Sequence, residues 1–212
     1  NDERRREYVD FLSTFYSNQA GALTQCDRVD DALKTYDKAI EILERQYHIR
    51  GRNECAGDLA VAYTNKANIC SESVKKQGAI NLYNKAIRIL EYLIDSKGYS
   101  RLRYMHAEIL MNKGDTLREI GELDQALETL DQAVEILLDE INNNNRKGLL
   151  GDLGWVRLCK TKVLRELKRV EDAINEAEAA DMILLDQIEN AGRVDLKSIR
   201  DEVRDLLRVL SK

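Results

Sequence analysis

Alanine and isoleucine recur along the chain at a fixed interval of 47 residues. Two alanine positions and one isoleucine position each occur four times in register, without an insertion or deletion. These sets are Ala32, Ala79, Ala126 and Ala173; Ala39, Ala86, Ala133 and Ala180; and Ile42, Ile89, Ile136 and Ile183. A period of about 20 to 50 residues is typical of repeat proteins, whose units bury their apolar faces by stacking. We therefore expect four copies, at 8–54, 55–101, 102–148 and 149–195.

Each copy has the pattern of two antiparallel helices. In copy one, Tyr36, Ala39, Leu43 and Tyr47 recur at the spacing of one apolar helix face. The chain has no proline, which would interrupt helices. A small residue in the middle of each first helix lets its partner approach closely. These small residues are Ala20, Ala67, Gly114 and Thr161.

One register predicts where the second helix of each copy ends. A helix commonly stops at a residue in the left-handed conformation, which glycine adopts freely and asparagine tolerates. The register holds Gly51, Gly98, Asn145 and Gly192.

These residues resemble the tetratricopeptide repeat. Copy two carries the family pattern of small, aromatic and large apolar residues at Tyr63, Ala67, Cys70, Ala79, Tyr83 and Ala86. The long period and the missing terminal proline are similar to the long-helix repeats of kinesin light chains and bacterial multidomain regulators. The resemblance implies an all-α, right-handed superhelical solenoid, a single domain over 1–212 with a concave groove lined by the first helices. Residues 196–212 align with one more first helix, but Arg208 replaces the small residue, so we interpret this segment as a capping helix.

The resemblance places one asparagine of each of the first three copies in the groove, at Asn18, Asn65 and Asn112. A carboxamide both donates and accepts hydrogen bonds, so it could pair with the backbone of an extended peptide. The alternative is that these asparagines bond within the hairpins or to each other. The next position holds a lysine in copies two to four, at Lys66, Lys113 and Lys160, and we expect their methylene stems to cover apolar surface.

Other residues expected in the groove become basic toward copy four. They are Asn68, Asp115, Arg118, Lys162 and Arg165. This trend predicts a ligand with an acidic segment near copy four, or else an ordinary solvated helix face. Cys159 falls in the asparagine register, where its thiol would be accessible and could be reactive. Trp155 would pack on the groove floor or bind a ligand side chain.

Composition argues against several functional classes. Lys and Arg number 33 against 38 Asp and Glu, so the formal net charge of −5 does not favour nucleic acid binding. No apolar run approaches the roughly 20 residues that cross a bilayer. The four cysteines form no C-x-x-C pair, which fits a reducing, cytoplasmic location without a metal or other cofactor.

No catalytic residues are predicted, because the two histidines have no repeated acidic or nucleophilic partner. We expect a protein-interaction module that binds a peptide or helix of a partner protein in the groove. The alternative is a scaffold that self-associates or controls a further domain of a larger chain.

Overall fold

The structure is a computed structural model that describes residues 2–49 and 52–211. All secondary structure in these ranges is helical. The nine α-helices described are α1 (Asp2–Gln25), α2 (Val29–Glu44), α3 (Ala56–Ser71), α4 (Lys76–Glu91), α5 (Arg103–Glu119), α6 (Leu123–Asn142), α7 (Leu150–Glu166), α8 (Val170–Glu189) and α9 (Lys197–Leu210). From α2 onward, equivalent helices of successive copies begin at intervals of 47 residues, whereas α1 begins at Asp2, seven residues before this interval predicts. Short 3₁₀ turns precede α3, α5, α7 and α9 at the same interval.

The chain divides into two compact units, Asn1–Ser100 and Arg101–Lys212. In the first unit, α1 pairs with α2, α3 pairs with α4, and α2 packs on α3. In the second unit, the hairpins α5–α6 and α7–α8 are joined by α6 packing on α7, and α9 packs on α8.

Small residues at the centre of each first helix are fully buried, as the sequence predicts. Ala20, Ala67 and Thr161 have no exposed surface. At Gly114 the approach is closest, because a Cβ built on this glycine would lie 2.6 Å from Cγ of Leu130 in α6. The hairpins therefore depend on these positions for close helix pairing.

Left-handed residues end the second helices where the sequence predicts them. Gly98, Asn145 and Gly192 have φ of 70°, 54° and 71°. The fourth member, Gly51, lies outside the described residues. In the first unit, the second helices finish in one π-helical turn each, at Arg45–Ile49 and Tyr92–Ser96.

A second left-handed register, which the sequence analysis did not identify, lies in the turn inside each hairpin. Asp27, Gly121 and Lys168 have φ of 56°, 84° and 61°. The equivalent residue of copy two is Val74, whose β-branched side chain disfavours this conformation. There α3 ends at Ser71, one residue earlier than the register predicts, and a different turn follows.

The last helix packs as the sequence predicts. Leu196, Val203 and Leu206 join Leu184 of α8 in one buried cluster. Arg208 is exposed and pairs with Asp205 at 2.7 Å on the same helix. A charged residue thus occupies the position where another second helix would need a small one.

Candidate functional site

A groove of about 800 Å³ lies in the second unit between α5, α7 and α9. It brings together three of the residues expected to line the binding surface, Arg118, Lys162 and Arg165. Residues of α9 form the facing wall: Ser198, Asp201, Glu202, Asp205, Leu206 and Val209. One wall is therefore basic and the other acidic, with apolar side chains at one end.

Arg118 is held in place by carboxylates on two helices. Its Nε donates to Oδ1 of Asp115 at 3.0 Å, and its Nη1 donates to Oε1 of Glu166 at 2.9 Å. Burial lowers the pKa of Arg118, but the hydrogen bonds and charges of Glu166 and Asp115 outweigh it and raise the pKa above its usual value. Asp115, also expected in the groove, therefore positions this guanidinium.

Lys162 connects the two walls. Its Nζ lies 2.8 Å from Oε1 of Glu202 in α9 and 5.7 Å from the centroid of the Trp155 ring. Trp155 is half-buried and packs against the cluster that holds α9. The tryptophan therefore lies beneath the lysine as part of the packing, and the ammonium is fixed from both sides.

Arg165, by contrast, is exposed at the end of α7. Asp201 on the acidic wall is exposed as well. The carboxylates of α9 face the basic side chains of α5 and α7. The sequence did not predict this acidic wall. The groove therefore has a cationic and an anionic wall instead of a uniformly basic lining.

In the first unit, two tyrosines of the same register hold the expected asparagines. The Tyr36 hydroxyl hydrogen-bonds the side chain of Asn65 in the next hairpin. The Tyr83 hydroxyl donates to Oδ1 of Asn68 in its own hairpin at 2.7 Å. At the position equivalent to Asn68, copy one has Gly21, and its Cβ would lie 3.8 Å from the Tyr36 oxygen.

The remaining asparagines differ in exposure. Asn18 is exposed on α1, and Asn112 is half-buried on α5. The backbone carbonyl of Asn112 accepts a hydrogen bond from the Thr116 hydroxyl at 2.8 Å. Asn65 is thus bonded to the preceding hairpin, whereas the alternative left open by the sequence was a bond within its own hairpin or to another asparagine. Asn68, which was not part of that alternative, bonds within its own hairpin.

Comparison with known proteins identifies the fold. The family model described as "Tetratricopeptide repeat" matches residues 107–136. YrrB, a tetratricopeptide protein described as having an unusual peptide-binding site, is similar over 92% of this chain and 87% of its own, with 18% identity and a TM-score of 0.51. This chain has the tetratricopeptide-repeat fold. The resemblance found in the sequence and the all-α solenoid class are confirmed.

A second solved structure has a similar fold. A putative kinesin light chain with nearly identical tetratricopeptide-like repeats, from Podosopora anserina, matches 93% of this chain and 92% of its own. The two share 17% identity, with a TM-score of 0.55. No curated protein sequence matches the chain.

The position of Cys159 corrects one expectation from the sequence. The sequence places its thiol in the groove register, but the side chain has no exposed surface. Burial raises the pKa of the thiol to about 12. An accessible, reactive thiol at this position is therefore wrong, because the helix turns Cys159 into the core.

Ion pairs between successive tetratricopeptide hairpins were also missed. Lys66 of α3 pairs with Asp37 of α2, and Lys160 of α7 pairs with Asp131 of α6 at 2.6 Å. The two pairs are equivalent, because Lys160 and Asp131 each lie two repeat periods after Lys66 and Asp37. The lysine stems are largely buried, as expected, but their ammonium groups also bind carboxylates of the preceding hairpin.

Metal and membrane features were searched for over residues 2–49 and 52–211. Those residues include no group of three or more His, Cys, Asp or Glu arranged to hold a metal ion. Within the same ranges, no helix combines the length and apolar character needed to span a membrane.

Proposed function

We propose that the chain is a protein-interaction module and that the groove between α5, α7 and α9 binds a segment of a partner protein. The observation that carries the proposal is the groove itself, about 800 Å³ with opposed charged walls and exposed apolar surface at Val209. Concave sites with apolar surface and a few fixed polar groups are where proteins bind ligands. The peptide-binding site named for YrrB supports the same use of the fold.

The charged walls define what such a segment carries. Arg165 is exposed and can form two parallel hydrogen bonds to a carboxylate. Arg118 and Lys162 are already paired with neighbouring carboxylates that balance their charge, so they offer ordered hydrogen-bond donors at little cost of ordering. The carboxylates of α9 suit a basic side chain of the ligand. We therefore propose a ligand with an acidic and a basic residue flanking an apolar one.

The asparagines supply a second element of the proposal. In the first unit, the side chains of Asn18, Asn65 and Asn68 are proposed as a contact for a ligand backbone. In the second unit, the side chain of Asn112 is proposed as a separate contact of the same kind. Their internal bonds to Tyr36 and Tyr83 fix the orientation of two of them, which favours binding because less side-chain freedom is lost.

A paired capture experiment tests the proposal. The baits are the wild-type chain, Arg165→Glu, and the combined Asn18→Ala, Asn65→Ala and Asn112→Ala variant. Lys147→Glu is the matched control, because Lys147 is exposed and does not line the groove. Because Asn65→Ala also removes the bond to Tyr36, Tyr36→Phe controls for that loss.

We expect one or more proteins to be captured by the wild type and by both controls. The same proteins should be lost from Arg165→Glu and from the combined asparagine variant. Identical protein lists from all baits would contradict groove binding. Light scattering addresses the scaffold alternative, because self-association predicts a dimer whose population rises with concentration.

A further inference from the structure

A cavity of about 260 Å³ lies in the second unit among α6, α7 and α8. Six of the nine residues that line it are charged, and we call it the charged cavity: Asp131, Arg157, Lys160, Arg169, Asp172 and Glu176. It shares no lining residue with the groove. Lys160 of the cavity and Lys162 of the groove lie on different faces of α7, since two residues along an α-helix are about 200° apart.

The charges of this cavity are particular to copy four. Arg157 replaces an aromatic or large apolar residue of the repeat, and Glu176 replaces a threonine or leucine. The equivalent residues are Tyr16, Tyr63 and Leu110 for Arg157, and Thr35, Leu82 and Thr129 for Glu176. The side chains of Arg157 and Glu176 are only 20% and 17% exposed. Because a buried ion pair seldom stabilises a fold more than apolar packing does, this departure from the repeat indicates a functional role.

The floor of the charged cavity carries more positive than negative charge. Nη1 of Arg157 and Nζ of Lys160 donate to the two oxygens of one carboxylate, Glu176, at 2.5 and 2.6 Å. Asp131, the second partner of Lys160, is 54% exposed, so solvent screens that pair. Nε of Arg157 is buried and has no hydrogen-bond partner among the described residues. Buried donors without a partner are rare in native structures, so this guanidinium is short of an acceptor.

We infer that the charged cavity binds a ligand with one carboxylate, which Arg157 and Lys160 hold by charge and hydrogen bonds. A guanidinium offers several donors to a carboxylate, and the added negative charge offsets the excess positive charge on the floor. Leu127 and Leu164 in the wall suit a short apolar group attached to the carboxylate. This site does not depend on the function proposed for the groove.

The exposed carboxylates of the cavity limit the charge of the ligand. Asp131 and Asp172 are 54% and 48% exposed, and each repels an anion. A phosphate monoester with two negative charges is therefore disfavoured. The volume lies below the range of about 300 to 1,000 Å³ typical of sites for larger ligands, so it suits a small organic acid or one glutamate side chain of another protein.

Two-dimensional ¹H–¹⁵N NMR of the whole chain tests the inference. The probes are butyrate, a free acid, and N-acetylglutamic acid α-amide, a blocked side chain, with chloride as the comparison at equal ionic strength. Arg157→Tyr with Glu176→Leu gives the cavity the residues of copy two and removes a cation together with its partner. Asp172→Asn removes a repelling charge.

Two further variants serve as controls. Lys147→Gln is the matched control, since Lys147 is exposed and does not line the cavity. Arg165→Gln shows whether the acids bind in the groove instead, because Arg165 lines only the groove.

We expect the Nε–Hε signal of Arg157 and the backbone amides around it to shift saturably in the wild type, in Lys147→Gln and in Arg165→Gln. The double variant should lose the saturable shifts of those amides. Asp172→Asn should bind about twofold to fivefold more tightly, because one nearby like charge is removed. This exposed substitution keeps the inference falsifiable if the double variant does not fold, which its melting curve shows.

Tighter binding of butyrate would support a free acid as the ligand, and tighter binding of the blocked glutamate would support a protein side chain. Shifts no larger than those that chloride causes would overturn the inference. So would unchanged binding by a folded double variant, or binding by Asp172→Asn that is no tighter than that of the wild type. Loss of binding in Arg165→Gln would also overturn it, because the acid would then bind in the groove.

Discussion

Lys160 in α7 reaches across to Asp131 in α6, with 2.6 Å between Nζ and Oδ1. The same lysine lies 2.6 Å from Oε1 of Glu176 in α8. One buried ammonium thus joins three helices of two successive hairpins. In the first unit, Lys66 and Asp37 form the equivalent link between α2 and α3.

Replacing this lysine should loosen the stacking of hairpins. Lys160→Met keeps the apolar stem but removes the charge that Glu176 and Asp131 share. Because Asp131 is half exposed to solvent, which screens the pair, we expect a loss of about 1 to 2 kcal/mol in the free energy of unfolding. Urea unfolding followed by circular dichroism measures it, with Lys147→Met as the exposed control. An unchanged midpoint for Lys160→Met would show that the ion pairs of Lys160 add nothing to the free energy of unfolding.

Close helix approach at two glycines gives a second prediction. A Cβ would lie 2.6 Å from Cγ of Leu130 at Gly114, and 2.7 Å from Cδ2 of Leu184 at Gly154. Each alanine variant should lose about 1 to 3 kcal/mol, because the leucine must leave its packed position. Gly78→Ala is the control.

At Gly78 the added Cβ meets nothing within 4 Å. Its alanine variant should be neutral or gain up to about 1 kcal/mol from helix propensity. Thermal melts of the three variants compare these effects. Equal midpoints for Gly114→Ala and Gly78→Ala would contradict the packing argument.

Much of the fold could be predicted because the repeat makes each position visible several times. The cap register shows this, since Asn145 adopts the same left-handed conformation as Gly98 and Gly192. The turn register at Asp27, Gly121 and Lys168 escaped notice because Lys168, and Val74 in copy two, are residue types that do not favour a left-handed conformation. The residues of a single turn do not by themselves show its backbone conformation.

Thiol reactivity should separate the cysteines. Cys26 is exposed, whereas Cys55, Cys70 and Cys159 are buried. Burial raises the pKa of Cys55 to about 11 and that of Cys159 to about 12. A thiol reagent at pH 8 should therefore modify Cys26 rapidly and the other three only on unfolding. Rapid modification of Cys159 in the folded protein, identified by peptide mapping, would contradict its position in the core.

The carboxyl of Asp152 in α7 should make the stability of the protein depend on pH. Burial raises its pKa, more than Arg193 and the backbone lower it. The ionised form therefore costs stability, and this cost appears as pH rises through the ordinary aspartate pKa of about 3.9 toward the higher folded-state value. Asp152→Asn should melt about 1 to 2 °C above the wild type at pH 7.

That difference should disappear at pH 3, where both proteins carry a neutral side chain at this position. Melting curves between pH 3 and 7 provide the measurement. A constant difference across this range would mean that the substitution acts through packing and not through charge.

The candidate site could be predicted only in part, because a groove depends on more than one helix. Arg118, Lys162 and Arg165 follow from the repeat register. The acidic wall does not, since Glu202 and Asp201 belong to α9, a helix whose sequence indicates only a cap. The bond between Tyr36 and Asn65 could not be predicted either, because it joins two different hairpins.

Site-specific photo-crosslinking tests the central claim most directly. A benzophenone amino acid is placed at Val209, which is 61% exposed and lines the groove, and separately at Met182, which is exposed on α8 outside it. Both proteins are irradiated with the captured partner, and the adducts are sequenced by mass spectrometry. The account predicts an adduct from Val209 to one short partner segment and none from Met182. An adduct from Met182 with none from Val209 would contradict it.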